Sequence, residues 1–154
     1  MTVHSILAAF DGTPPARHAL DQAAEIARQA RGQLTLICVI PPSVGAYGFE
    51  IPAGASTADA LESAKKMLAE TKSDLEKKGL AKVESVLLEG NPVDRIVEYA
   101  DQHVPDLIVV GSRGLSEAGR FFLGSVSDGI LHHAQGSILV VKSPPGAAGA
   151  RPRK

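Results

Sequence analysis

Residues 107–127 have the sequence LIVVGSRGLSEAGRFFLGSVS, in which an apolar run is followed by glycines and then by a polar segment. The apolar run, Leu107 to Val110, predicts a buried strand, and the glycines predict a loop that leads into a helix. Glycine allows left-handed backbone angles and lets the main chain approach a ligand closely. We therefore expect bare N–H groups in this loop and in the first turn of the helix after Gly124.

The start of that helix is a candidate phosphate site. A helix N-terminus combines unpaired N–H donors with a partial positive charge. Ser125 and Ser127 could add hydroxyl groups, and Arg113 could add a guanidinium. Alternatively, Gly111 and Gly114 only make a tight turn between strand and helix. The glycine spacing alone leaves both interpretations open.

The whole chain alternates between apolar strands and amphipathic helices. Strands are predicted over residues 3–10, 33–40, 83–88, 106–110 and 137–142, with helices starting at residues 14, 57, 92 and 125. Because the central strands are apolar throughout, they predict a parallel sheet with helices on both faces, a doubly wound α/β domain over residues 1–143. Right-handed crossovers leave the strand orders 3-2-1-4-5 and 2-1-3-4-5 open.

Local signals refine the boundaries of these elements. Thr13 is predicted to cap the first helix, with Pro14 at its first position and Gly32 at its end. The last helix is marked by apolar residues at helical spacing and is predicted to end at Gly136; these residues are Val126, Ile130, Leu131 and Ala134. Residues 41–56 are predicted to form a long loop, and residues 144–154 have too little apolar content to fold, which predicts a flexible tail.

Two further residues are candidates for the site at the carboxyl ends of the strands. Asp11 ends the first strand and could accept hydrogen bonds from a ribose or a base, or it could brace the turn. Val39 ends the second strand and could pack against an adenine, or it could be an ordinary core residue. In the order 3-2-1-4-5, the Asp11 turn and the Gly111 loop would meet across one crevice.

Composition argues against several classes of partner. Sixteen basic and seventeen acidic side chains give a formal charge of −1, which provides no electrostatic footprint for nucleic acid or anionic lipid. The single cysteine, Cys38, lies in an apolar run and excludes an intrachain disulfide. No signal-peptide pattern or apolar run of membrane-spanning length is present, so we expect a cytoplasmic protein.

No catalytic motif accompanies the glycine loop. The sequence lacks a Gly-x-Ser-x-Gly elbow, a Walker Gly-x4-Gly-Lys-Ser/Thr loop and a Gly-x-Gly-x2-Gly turn after a strand. Its histidines have no metal-ligand spacing, so no structural metal is expected. These features favour a binding module over an efficient enzyme.

Read as Gly-x2-Gly-x9-Gly-Ser, residues 111–125 resemble the ATP-binding signature of the universal stress protein family. The resemblance also rests on residues 6–13 (ILAAFDGT), 89–92 (EGNP), 106–114 and 123–127, and it covers Val3 to Lys142. It implies the strand order 3-2-1-4-5 and a homodimer, and some members of the family bind ATP. One departure is Pro14-Pro15 directly after the Asp-Gly-Thr turn.

The resemblance implies a role for each candidate residue. Asp11 would contact the ribose or base and Val39 the adenine, and the residues expected around the phosphates are Gly111, Arg113, Gly114, Gly124, Ser125, Val126 and Ser127. Mg²⁺ would be held through the phosphates. The leading hypothesis is a dimeric, ATP-dependent stress-response regulator or scaffold. A slow ATPase, a cyclic-AMP binder and a nucleotide-free dimeric interaction module remain alternatives.

Dimerisation is also predicted from the sheet itself. In the order 3-2-1-4-5 the last strand, Ser137 to Lys142, is an edge whose apolar core, Ile138 to Val141, contains no charge or proline. Such an edge favours pairing with another strand. A second copy of the chain, adding its own last strand antiparallel, would cover it.

Overall fold

A computed structural model describes residues 2–42, 54, 56–112 and 124–142 of the chain. Strands and helices alternate, as the sequence predicts. The strands are β1 (Ser5–Ala9), β2 (Gln33–Ile40), β3 (Val83–Glu89), β4 (Leu107–Gly111) and β5 (Ile138–Val141). The helices are α1 (Pro14–Ala30), α2 (Thr57–Lys77), α3 (Pro92–His103) and α4 (Ser125–His133).

The strands form one parallel sheet in the order β3-β2-β1-β4-β5. Leu7 of β1 pairs with Thr35 of β2 on one side and with Ile108 of β4 on the other. This order confirms one of the two arrangements predicted from the residues, the one that the family resemblance implies. It also places β1 and β4 side by side at the point where the direction of winding reverses.

Helices cover both faces of the sheet, because alternate side chains of each buried strand point to opposite faces. Ile6 of β1 and Leu36 of β2 face α1 and α2, whereas Leu7 and Ile37 face α3 and α4. Alanines such as Ala23, which is fully buried, let α1 lie close to the sheet. The doubly wound α/β architecture predicted from the apolar strands is confirmed.

Three local predictions need correction. Thr13 occupies the N-cap of α1, but its hydroxyl donates to Asp11 and does not cap the helix. The left-handed residue that ends α1 is Arg31, while Gly32 lies against the His4 carbonyl, where a Cβ would come within 2.6 Å of the oxygen. The last helix, α4, ends at His133 and not at Gly136, and its Leu131 is 46% exposed.

The amino edge of the sheet is held by a carboxylate. Asp106, just before β4, accepts hydrogen bonds from the backbone N–H groups of His4 and Ser5, each 2.9 Å long. These bonds, chiefly the one from His4, lower the pKa of the Asp106 carboxyl. The carboxylate therefore joins the start of β4 to the start of β1.

Several predictions fall on parts of the chain that lie outside the described residues. They include most of the 41–56 loop and the 144–154 tail. Within the described ranges, no helix combines the length and the apolar character needed to cross a bilayer.

Candidate functional site

A crevice opens at the carboxyl edge of the sheet, where β1 and β4 lie side by side. Its floor comes from the ends of the central strands, among them Asp11, Val39 and Gly111, and its walls come from the first turns of α1, α3 and α4. The crevice has a volume of about 650 Å³, including the part that is open to solvent. Ligand sites of doubly wound folds lie at this position.

The first turns of three helices point into the crevice, but they do not offer the same donors. In α1, Pro14 and Pro15 occupy the first positions and have no N–H group. In α3, Pro92 also lacks an N–H group, and the Asn91 side chain accepts from the Asp94 N–H at 3.1 Å. Donors are therefore scarce at two of the three helix starts.

The start of α4 keeps its donors. Its N-cap is Gly124, which has no side chain, and no side chain among the described residues caps the helix. The first hydrogen bond within the helix runs from the Asp128 N–H to the Gly124 carbonyl at 2.9 Å. The N–H groups of residues 125–127 therefore have no carbonyl acceptor within the helix. Ser127 is 3% exposed, and its hydroxyl donates to the Gly124 carbonyl at 3.0 Å. An anion could be bound here by backbone groups.

Asp11 lies opposite α4, in the turn that leaves β1. One carboxylate oxygen, Oδ1, accepts from the Thr13 N–H at 3.0 Å and from the Thr13 hydroxyl at 2.6 Å. The carboxylate therefore braces the turn, as one interpretation of the sequence expected. This bracing also fixes the side chain at the mouth of the crevice, which Asp11 and Thr13 both line.

The inner part of the crevice is apolar. Val39 is 6% exposed and packs in the core beneath α3 and α4, and Ile37 and Ile96 line the same space. Cys38, between Ile37 and Val39, belongs to the opposite face of the sheet. Burial, together with the negative charge of Asp11, raises the pKa of the Cys38 thiol to about 12. The thiol therefore stays protonated and unreactive at neutral pH.

Two glycines shape the crevice for different reasons. A Cβ on Gly111 would lie 2.7 Å from the Pro15 carbonyl oxygen, so glycine lets the end of β4 approach the start of α1. Gly12 has a φ of +81°, in the region that favours glycine, and a Cβ there would overlap the Sδ of Met67 on α2. Both positions are explained by packing and backbone conformation, without a ligand.

Most of the candidate residues come together at one place. Asp11, Val39, Gly111, Val126 and Ser127 line the crevice. Gly124 and Ser125 directly precede Val126, as the N-cap and the first residue of α4. Arg113 and Gly114 lie outside the described residues.

Other residues of the crevice were not predicted from the sequence. Pro92 and Ile96 of α3 line it, as does Pro41 after β2. A usable signal was present, because every helix that follows a strand of a parallel sheet begins at the carboxyl edge. The contact between Met67 and Gly12 had no such signal, since α2 is distant from the turn in sequence.

Comparisons with known proteins agree with this architecture. The model of the universal stress protein family matches residues 2–142. This chain belongs to the universal stress protein family. A universal stress protein of Thermus aquaticus is 32% identical over 142 residues, which cover 90% of this chain and 98% of that relative. The family predicted from the glycine signature and the strand motifs is therefore confirmed.

Solved universal stress proteins share the fold. The structure of one from Lactobacillus plantarum has a TM-score of 0.77 at 24% identity, covering 92% of this chain and 99% of that one. A universal stress protein crystallised in complex with cAMP has a TM-score of 0.70 at 26% identity, covering 92% and 98% of the two chains.

Proposed function

We propose that this universal stress protein binds ATP in the crevice and acts as a dimeric, nucleotide-dependent regulator or scaffold in the stress response. The observation that supports this most is the uncapped start of α4, which faces the same crevice as Asp11. The structural relative solved with cAMP supports an adenine nucleotide as the class of ligand.

The phosphates would bind at the first turn of α4. The N–H groups of Ser125, Val126 and Ser127 precede the helical ladder, and the helix dipole favours negative charge at this end. Gly124 allows close approach because it has no side chain. Arg113 and Gly114 complete the proposed set, and Mg²⁺ would be held through the phosphates.

The nucleoside would bind between Asp11 and the apolar floor. Asp11 carries a charge at the mouth of the crevice and could accept from ribose hydroxyls or from the adenine amino group. Val39, Ile37 and Ile96 would contact the apolar face of the base.

The preferred nucleotide can be found by thermal melting with adenosine, AMP, ADP, ATP and cAMP at equal concentrations. We expect ATP to raise the Tm most, because a ligand at about 100 times its Kd adds ~2.7 kcal/mol of stability. Adenosine should give a smaller shift, since it cannot reach α4 with a phosphate. A largest shift with cAMP would favour the cyclic-nucleotide alternative, and no shift with any adenine compound would contradict the proposal.

Asp11 can be tested by Asp11→Asn, which keeps one oxygen to accept from Thr13. We expect weaker ATP binding because the charged acceptor for the nucleoside is lost. Asp106→Asn is the matched control, since it removes the same charge at the opposite edge of the sheet. Equal ATP affinity in both variants would exclude the role proposed for Asp11.

The proposal includes a homodimer formed through the strand at Ser137–Lys142. In the sheet, β5 pairs with β4 and is the last strand of the order. Its residues 138–140 are partly exposed. An antiparallel partner strand from a second copy would bury them. The proposal also keeps the cytoplasmic location expected from the sequence.

A further inference from the structure

The side chain of Met67 lies against the turn that carries Asp11. Met67 is on α2, and its Sδ is the atom that a Cβ on Gly12 would overlap. The sulfur therefore fills the space that the missing side chain of Gly12 leaves. This contact joins α2, which does not line the crevice, to the turn of Asp11 and Thr13, which lines it.

Gly12 stands between the two residues that hold the turn. Asp11 and Thr13 are linked by two hydrogen bonds, of 3.0 and 2.6 Å, to a single carboxylate oxygen. Gly12 itself has a φ of +81°. A chemical change at the sulfur would first alter the conformation of this turn and would then move the Asp11 carboxylate.

Met67 is also chemically accessible. It is half-buried at the edge of the core between the sheet and α1/α2, so solvent reaches part of the side chain. The chain has two methionines, Met1 and Met67, and one cysteine, Cys38. Cys38 is 1% exposed and its raised pKa keeps it from forming a thiolate. Within the described residues, Met67 is therefore the sulfur-containing side chain that solvent reaches.

We propose that Met67 is an oxidation site through which hydrogen peroxide weakens adenine-nucleotide binding, a regulation that rests on the function proposed above. The thioether sulfur attacks one peroxide oxygen and the O–O bond breaks. An S–O bond forms, the proton on the transferred oxygen passes to the other oxygen, and that oxygen leaves as water. The sulfur loses two electrons and the peroxide gains them. A methionine sulfoxide reductase would restore the thioether at the expense of two thiols.

The physical effect follows from the polarity of the sulfoxide. Oxidation turns a flexible apolar side chain into a polar one, which no longer favours the contact with Gly12 and the core. The turn then loses the packing that holds it from the α2 side. Asp11 is left less well positioned, so the nucleotide must order the turn when it binds, and its affinity falls.

The first experiment measures ATP affinity of the full chain by calorimetry before and after treatment with hydrogen peroxide, with mass spectrometry to follow oxidation at Met67. We expect oxidation to weaken ATP binding about tenfold. Met67→Leu is the matched control, because it keeps Met1, Cys38 and the apolar volume but has no sulfur at position 67. Its ATP affinity should resemble that of the wild type and should not respond to peroxide.

The second experiment needs no nucleotide. The Thr13 N–H is bonded to Asp11, so its hydrogen exchange, followed by NMR, reports on the turn directly. We expect faster exchange after oxidation of Met67 and in Met67→Gln, a polar substitute of similar length, but not in Met67→Leu.

These two measurements separate the inference from the proposed function. Unchanged Thr13 exchange together with unchanged ATP affinity in fully oxidised protein would overturn the inference. Failure of Met67 to oxidise in the folded protein would overturn it as well. Faster exchange in a protein that binds no adenine nucleotide would keep the effect of Met67 on the turn, but it would overturn both its regulatory role and the proposed function.

Discussion

At Gly111, the absence of a side chain brings the end of β4 against the start of α1. A Cβ there would lie 2.7 Å from the Pro15 carbonyl oxygen and 3.3 Å from the Ala16 nitrogen. Both neighbours are backbone atoms, so they cannot move aside as a flexible side chain would. The residue also lines the crevice, so a shift of β4 relative to α1 would change the shape of the site.

We therefore predict that Gly111→Ala lowers the free energy of unfolding by roughly 1–3 kcal/mol, the usual cost of overpacking. Urea denaturation of the wild type and the variant measures the difference. A variant as stable as the wild type would show that the two backbone segments separate freely, contrary to this packing.

Val104 is the second residue with a consequence for stability. It ends α3 with a φ of +46°, donates its N–H to the Ala100 carbonyl and is 76% exposed. A β-branched side chain is poorly suited to left-handed backbone, which costs L-residues roughly 1–2 kcal/mol. Asparagine tolerates this conformation far better.

Val104→Asn should raise the free energy of unfolding by about 1 kcal/mol, because the strain is relieved and little apolar burial is lost. Thermal or urea unfolding measures the gain. Arg31→Asn is a useful comparison, since Arg31 has a φ of +54° but is not β-branched, so its gain should be smaller. A loss of stability in Val104→Asn would contradict this account.

The positions of single residues could be predicted from the sequence where the order of the strands determines them. Asp11 and Gly111 follow adjacent parallel strands, so their meeting at one crevice could be predicted from the strand order. They could not be predicted where one polar group can form a hydrogen bond with either of two partners. Thr13 could cap α1 or bond to Asp11, and its spacing in the sequence does not separate the two.

At the scale of elements, the sheet edge joined by Asp106 gives a pH-dependent prediction. The pKa of Asp106 is lowered below its unfolded value, mainly by hydrogen bonds from the His4 and Ser5 N–H groups. Because the pKa of Asp106 is lower in the folded state, its carboxylate stabilises the fold at pH values above the unfolded-state pKa. This stabilisation is lost as the pH falls through the folded-state pKa.

Asp106→Asn should therefore lower the Tm at pH 7, and the difference from the wild type should shrink as the pH falls below the ordinary Asp value of 3.8. Melting curves between pH 7 and pH 3 test this. A difference that stays constant over the whole range would mean that the carboxylate charge is not involved.

The predicted starts of the helices agree with the structure to within one or two residues. Asn91 and Pro92 mark the start of α3, and the side chain of Asn91 caps it as expected from the sequence. The sequence predicts the start of α2 at Thr57, and the structure adds a Ser56–Asp59 capping box that stabilises it. The end of the last helix, predicted at Gly136, is wrong, because α4 ends at His133.

At the scale of the whole molecule, β5 determines how two copies could associate. The Ile108 N–H bonds to the Ser137 carbonyl and the Ser112 N–H to the Val141 carbonyl, both at 2.9 Å. Because hydrogen-bonding direction alternates along a strand, the N–H of Val140 points away from β4. A partner strand would use this group.

Val140→Pro removes that donor without disturbing the pairing with β4, so we predict that it shifts the protein from dimer to monomer. Val140→Thr is the control, because it keeps both the N–H and a β-branched side chain. Light scattering at several concentrations gives the mass of each. A wild-type protein that remains monomeric at every concentration would contradict the proposed dimer.

The architecture as a whole could be predicted from the sequence because the apolar strands and the helix signals point to the same fold. The ligand could not be predicted, since the residues of the proposed site do not distinguish one adenine nucleotide from another. The start of α4, where we propose that the phosphates bind, gives the sharpest test of the ligand. Gly124, with a ψ of 156°, already has the extended backbone that precedes a proline comfortably, and Ser125 is the first residue of α4.

The most direct measurement is therefore a calorimetric titration of ATP into the wild type, Ser125→Ala and Ser125→Pro. Both variants lose the hydroxyl, but only proline removes the N–H at the first helical position, where it does not disturb the helix. We predict that Ser125→Pro binds ATP at least tenfold more weakly than Ser125→Ala, since a hydrogen bond to a charged group contributes roughly 1.5–3 kcal/mol. Equal affinities in the two variants would contradict phosphate binding at the start of α4.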